Sequence, residues 1–215
     1  MPRAAGADRT PASCSAFLDP CEEFQIDPAC LIAGIDEVGR GALAGPVTAA
    51  AVVLPHGVEI PGLTDSKTIP PKRREQVAAA VHAAAVAISI AHVEPATIDS
   101  LGIAKATRQA MLRALAGLRP APDIALVDGL PVDLSIESRA IVKGDSLFAA
   151  IAAASVVAKV ERDRLMAELE DVHPGYGFAV HKGYGTPEHL DALERLGPCT
   201  AHRLSFAPCS QRRLF

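Results

Sequence analysis

With 215 residues, 49% of them apolar, and a formal net charge of −4, the chain reads as one globular domain with a sizeable core. The negative balance gives no global attraction to nucleic acid and counts against a sequence-nonspecific coat protein, so any such binding needs a local basic face. The most apolar stretch, Gly144 to Val160, carries Asp145, Ser146, Ser155 and Lys159. It therefore reads as a buried amphipathic helix and not as a membrane span.

Residues 1–29 are rich in Pro, Ala, Asp and Cys. They lack a basic start followed by an apolar core, so they read as a flexible extension and not as a secretory signal. Five cysteines without a CxxC pair argue against a disulfide framework or a zinc site and suit a reducing cytoplasm.

Leu31 to Ile35 is a short apolar run, read as a buried strand ending at Asp36. Gly41 to Gly45 turns the chain into a second strand, Pro46 to Leu54. Pro55 to Thr68 is loop and contains Thr64-Asp65-Ser66-Lys67. Pro70-Pro71 starts a helix, because proline suits the first helical turn. Val86 to Val93 alternates as a third strand. Asp99 is the expected N-cap of a helix that Gly117 and Pro120 stop near Leu118. Ile124 to Val127 and Ala140 to Val142 are the last two expected strands, ending at Asp128-Gly129 and Lys143-Gly144-Asp145. A long helix to about Glu170 follows, with Ser155, Lys159 and Arg162 on its polar stripe. Tyr176 to Thr186 reads as a glycine-rich loop and Pro187 to Leu196 as the last helix. This order gives an α/β fold with a mixed sheet covered by helices.

Asp36, Asp128 and Asp145 follow three strands, and sites in α/β sheets gather beyond strand ends. If those strands are neighbours, the three converge with Glu37. Four clustered carboxylates repel one another and attract hard cations such as Mg²⁺ or Mn²⁺. Two such ions activate water and stabilise the leaving oxygen of a phosphodiester. Taken singly, Asp128 also reads as a turn residue and Asp145 as an N-cap. Gly39-Arg40-Gly41 has three readings: a tight turn, a phosphate grip through arginine, or a backbone that senses a 2′-hydroxyl. Spacing alone does not choose among them.

The segments IAGIDEVGRGALAGPV, LTDSK, LVDG, VKGDSLFAAIAAASVVAKVERDRLM, YGFAVHKGYGTPEHL and HRLSFAP closely resemble bacterial type 2 ribonuclease H, ribonuclease HII. The resemblance runs from about Leu31 to Pro208. It implies a ribonuclease H-like fold, a mixed five-stranded sheet flanked by helices, as a catalytic domain over residues 30–208. It implies Mg²⁺- or Mn²⁺-dependent cleavage of the RNA strand of RNA–DNA hybrids and of duplex DNA containing single ribonucleotides. The cut falls 5′ of the ribonucleotide and leaves a 3′-hydroxyl and a 5′-phosphate, a step in ribonucleotide removal and DNA repair. By motif, Asp36, Glu37, Asp128 and Asp145 match the catalytic, metal-binding acids. Gly39, Arg40 and Gly41 match the tripeptide that reads the 2′-hydroxyl and its phosphate. Tyr184 matches a tyrosine that packs on the following deoxyribose, and Lys67 a lysine that contacts the nucleic-acid backbone. His181, His189, His202 and Arg203 are expected to be structural or near phosphate. Pro70 departs from the family pattern, in which a capping serine is common. A monomer is the family expectation.

Residues 209–215 form a tail ending Gln211-Arg212-Arg213-Leu214-Phe215, similar to peptides that dock on the bacterial sliding clamp. Leu214 and Phe215 would fill an apolar pocket while Gln211 fixes orientation. Two other functions compete with the ribonuclease. A recombinase-type nuclease of the same fold needs additional DNA-binding domains, for which the chain has no room. A binding module without activity needs a basic surface and no intact acid set.

Overall fold

The computed structural model describes residues 17–212. Its centre is a five-stranded mixed sheet in the order β3-β2-β1-β4-β5. The strands are β1 (Ile32–Val38), β2 (Val47–Val53), β3 (Ala87–Val93), β4 (Ile124–Asp128) and β5 (Glu137–Ile141). β1 runs antiparallel to β2, and β2 to β3, whereas β4 and β5 continue parallel to β1. β2 is buried along its whole length, and its Val-Thr-Ala-Ala-Ala-Val-Val sequence explains how. Residues 47, 49, 51 and 53 feed one core cluster, and residues 50 and 52 the other, as the two-residue period of a strand requires.

Two helical layers cover the sheet. α3 (Pro95–Leu101) and α4 (Ile103–Gly117) pack Ile98, Ala106, Ala110, Met111 and Ala114 on the first face. α2 (Pro71–Ala84) and the long α5 (Ala149–Val172) cover the second, where the alanine-rich Ala152–Ala158 run meets Ala50 and Val52. Small residues on both sides bring helix and sheet close together. The closest approach is at Gly34 of β1, where a Cβ would lie 2.1 Å from the Ala150 carbonyl carbon. α6 (Phe178–His181) and α7 (Pro187–Leu196) form a smaller cluster with Ala44, Met166, Tyr176 and Ala201.

Five boundaries differ from expectation. β1 does not stop at Asp36 but continues through Glu37 to Val38, so both acids lie inside the strand, paired with Ala50 and Ala49 of β2. Asp99 is not an N-cap: it lies inside α3, and Gly102 at φ 78° separates that helix from α4. Its carboxylate instead accepts hydrogen bonds from the Leu204 and Ser205 amides, a long-range tie invisible in local sequence. β5 runs from Glu137 to Ile141 and not from Ala140 to Val142, because its polar Glu-Ser-Arg start pairs with Ile124–Leu126 all the same. Asp145 lies in a separate 3-10 turn, Gly144–Ser146, before α5 begins at Ala149. The segment read as glycine-rich loop contains α6.

Within the expected extension, Pro20–Phe24 forms α1, capped by Asp19, whose Oδ1 accepts from the Cys21 amide at 2.9 Å. Phe24 stacks on Phe148 at 5.5 Å, and the Leu18 amide donates to the Leu147 carbonyl at 2.8 Å. Residues 17–29 are thus joined to the domain. At the other end Cys209–Arg212 is a 3-10 turn. Leu214 and Phe215 lie outside the described residues, as does residue 14.

Candidate active site

Strand register assembles the acids. Ile35 pairs with Val127 across the parallel β1–β4 ladder, so Asp36 and Asp128 stand side by side one position further on. Glu37 follows Asp36, and the Glu37 amide donates to Asp36 Oδ1 at 2.7 Å. Asp128 Oδ1 accepts from the Gly144 amide at 2.7 Å, which ties the turn carrying Asp145 to the end of β4. The four acids therefore gather at one end of the sheet: Asp36 and Glu37 within the last residues of β1, Asp128 as the final residue of β4, and Asp145 in the turn that follows β5. They surround a cleft without closing on a single point: no three of them have oxygens that all lie within 4.8 Å of one another.

Burial makes three of these acids costly to ionise. The Asp36 carboxyl is pushed up to about 8, first because desolvation disfavours its charge; a hydrogen bond from Ser155 opposes the rise, and the charges of Glu37 and Asp128 add to it. Glu37 and Asp145 are also raised, again chiefly by burial, with Asp128 contributing to both. Ser155 Oγ lies 2.9 Å from Ser66 Oγ, so α5 and the Asp65-Ser66-Lys67 loop share the support of Asp36. The Lys67 ammonium lies 3.7 Å from Asp145, and its pKa is raised by Asp145, Asp65, Asp36 and Asp128 against the opposing effect of burial. Buried Arg74 of α2 anchors that loop by donating to the Ser66 and Ile69 carbonyls.

An all-oxygen donor set of crowded carboxylates, with one carboxyl driven toward neutrality by burial and by its acidic neighbours, fits a hard divalent cation. Asp36, Glu37, Asp128 and Asp145 are the residues that would hold it.

Gly39-Arg40-Gly41 lies directly after β1. Gly39 has φ 87°, and a Cβ there would meet Arg162 Nε at 2.1 Å, so only glycine fits. Gly41 has nothing within 4 Å of its missing Cβ and faces open space. The Arg40 guanidinium is half-exposed and pairs with Glu37 at 3.2 Å. Two buried arginines, whose shared role the sequence reading did not anticipate, fix this loop. Arg203 donates to the carbonyls of Gly39, Arg40 and Gly45. Arg162 donates to those of Ala44, Pro46 and Lys182. With these carbonyls occupied, the loop keeps one shape while Arg40 and Gly41 remain available. The local signal was an arginine on the polar stripe of α5, indistinguishable in sequence from a solvated one.

Tyr184 is 36% exposed, with the Arg162 guanidinium 5.5 Å from its ring centroid. Its amide donates to the His181 carbonyl, and its own carbonyl lies 2.9 Å from His189 Nδ1. The Leu43 amide donates to the neighbouring Gly183 carbonyl at 2.8 Å, which joins the Tyr184 segment to the glycine loop. His181, His189 and His202 are buried against Tyr176 and Phe178. His189 and His202 share an Nε2–Nε2 contact of 3.1 Å. They pack the support of the site and do not line it, in line with their structural reading.

A family model described as Ribonuclease HII matches residues 33–209. The chain belongs to the ribonuclease HII family. A ribonuclease HII from Cereibacter sphaeroides is 56% identical over 179 residues, covering 82% of this chain and 84% of the relative. The crystal structure of ribonuclease H2 from Pyrococcus horikoshii superposes with a TM-score of 0.74 at 26% identity, over 84% of this chain and 95% of that one. A ribonuclease HII from Archaeoglobus fulgidus, solved in complex with PCNA, gives a TM-score of 0.69 at 25% identity, over 82% and 95%. The ribonuclease H-like architecture and the assignment as a metal-dependent endoribonuclease of the ribonuclease H class follow from this membership. Among the described residues no helix is long and apolar enough to cross a membrane.

Proposed function

We propose that this enzyme cleaves the RNA strand of RNA–DNA hybrids and nicks duplex DNA on the 5′ side of single embedded ribonucleotides, leaving a 3′-hydroxyl and a 5′-phosphate. One observation carries the reading: the buried acid cluster at the ends of β1 and β4 adjoins a glycine-arginine-glycine loop held rigid by Arg203. Asp36, Glu37, Asp128 and Asp145 bind divalent ions, Mg²⁺ or Mn²⁺, through oxygen alone. Bound there, two such ions would supply water activation and charge neutralisation at the leaving 3′-oxygen.

The chain's own groups do the rest. Gly41 leaves room for close approach of a ribose, so that backbone groups of the loop test for a 2′-hydroxyl. Arg40 grips the adjoining phosphate. Lys67, exposed above Asp145, contacts the nucleic-acid backbone. Tyr184 packs its half-exposed ring on the deoxyribose that follows and so favours an RNA-to-DNA junction. In this reading the protein acts in ribonucleotide removal during replication and repair, as a cytoplasmic monomer. Its tail, through Gln211, Leu214 and Phe215, docks on the sliding clamp; the PCNA complex of the archaeal relative supports a clamp contact of some kind.

The deciding experiment uses a DNA duplex carrying one ribonucleotide, incubated with Mg²⁺, with Mn²⁺ and with chelator. The expected product is a metal-dependent nick mapped immediately 5′ of that ribonucleotide. Cleavage confined to long hybrids would reject the single-ribonucleotide activity, and cleavage in chelator would reject the metal mechanism.

A further inference from the structure

A second ligand cluster lies at the opposite end of β1 from the acids. Asp19 and Cys21 sit at the start of α1, and His56 in the loop after β2. Their donor atoms all lie within 4.8 Å of one another, and among the described residues they are the one such set of three. Asp19 Oδ1 is engaged by the Cys21 amide, which leaves Oδ2 facing His56 Nε2 at 3.0 Å. Cys21 is buried, and all three residues line a cavity of about 250 Å³ together with Cys30 and Phe148.

We propose that Asp19, Cys21 and His56 form a zinc site that staples the N-terminal segment to the β2 loop. Three observations carry it. The first is donor chemistry: thiolate, imidazole and carboxylate together match a borderline-soft ion such as Zn²⁺ and mismatch the hard ions suited to the four acids. The second is size. Ligands about 2.0–2.3 Å from a tetrahedral ion lie roughly 3.3–3.8 Å from one another, so with all donors within 4.8 Å and the Asp19–His56 pair at 3.0 Å, that pair opens slightly and the remaining adjustments are about 1 Å or less. The third is pre-organisation. The Phe24–Phe148 stack, the Leu18–Leu147 hydrogen bond and the placement of the Arg139 guanidinium 5.2 Å from the Phe24 ring centroid hold Asp19 and Cys21 against the domain independently of any ion. These three side chains would hold the ion, and a fourth ligand would have to be supplied from the cavity they line. Four residue steps along β1, ~13 Å of strand, lead from Ile32 at the cavity to Asp36, so the site is structural and not part of the hydrolytic centre.

The test is a Co²⁺ titration of the metal-stripped full chain, with excess Mg²⁺ present to fill the oxygen-only sites. Cobalt reports thiolate ligation by a charge-transfer band in the near ultraviolet. The expected result is that band, saturating at one equivalent and bleached by Zn²⁺. It is lost in Cys21→Ser and in His56→Ala and retained in Asp36→Asn, while Mg²⁺-dependent nicking by the Cys21 and His56 variants is unchanged. Because His56 is exposed, its substitution leaves the fold intact by circular dichroism even if that of Cys21 does not. Absence of the band in the parent protein, or a band that persists in folded His56→Ala, overturns the proposal.

Discussion

Asp36 concentrates the chemistry of the site in one carboxyl. Its folded pKa of about 8 lies far above the ordinary value of 3.8. A group raised in this way favours the folded state fully below its unfolded pKa, and that contribution is lost as pH rises through the folded pKa. The metal-free protein should therefore lose stability on the order of a few kcal/mol between about pH 4 and pH 8 through this residue alone. Thermal melts of chelated protein across that window should fall more steeply for the parent than for Asp36→Asn; parallel curves would mean that Asp36 is already solvated. The same substitution is expected to reduce cleavage by at least a hundredfold while duplex binding is largely kept, because one oxygen ligand is removed and the basic contacts remain. Equal loss of binding would make Asp36 a folding residue. Tyr184→Ala should reduce kcat/KM on single-ribonucleotide duplexes more than on long hybrids, and equal losses on both would remove its junction role.

At the level of elements, the site depends on how closely α5 meets β1. Gly34 allows this contact: a Cβ at that position would overlap backbone atoms of Ala150 and Ile151, which cannot swing aside as a side chain can. Gly34→Ala is expected to cost roughly 3 kcal/mol or more by overpacking, read as a lowered midpoint in urea; an unchanged midpoint would mean that α5 shifts freely. The shift would carry Ser155 away from Asp36, so activity should fall with stability. The two buried arginines act on the same scale. Arg162 reaches from α5 and Arg203 from the segment after α7, and both hold carbonyls of the glycine loop. The loop's shape thus depends on elements more than 100 residues away in sequence.

For the whole molecule, a negative chain that acts on nucleic acid must arrange its charge locally. The acids lie at one end of the sheet, with Lys67 and Arg40 at their rim. Recruitment to DNA then gains from a separate anchor, the role proposed for the tail. Deleting Leu214 and Phe215 should abolish binding to the sliding clamp in a pull-down or titration and leave cleavage of a short duplex unchanged. Undiminished clamp affinity would sink the idea.

Much of this was legible in the order of residues alone. Apolar runs leading to acids placed the strands of the site, because a buried strand must be mostly apolar; that Asp36 is itself buried inside β1 depends on the sheet and on α5 packed over it. The motif segments carried the family, and with it the expected roles of Asp36, Glu37, Asp128, Asp145 and the glycine loop. Other features depended on contacts between distant segments. Asp99 has the local look of a helix cap, yet its carboxylate is taken by amides at residues 204 and 205. Arg162 has the look of a solvated stripe, yet it is fully buried among carbonyls. Cysteine spacing gives no sign that Cys21 and His56 lie together, because spacing sees only neighbours in sequence, whereas the packing of α1 against the domain brings them close. Local pattern determined which elements form and which residues can do chemistry; long-range packing decided which of them meet, since burial and hydrogen-bond satisfaction are settled only when the chain has closed on itself.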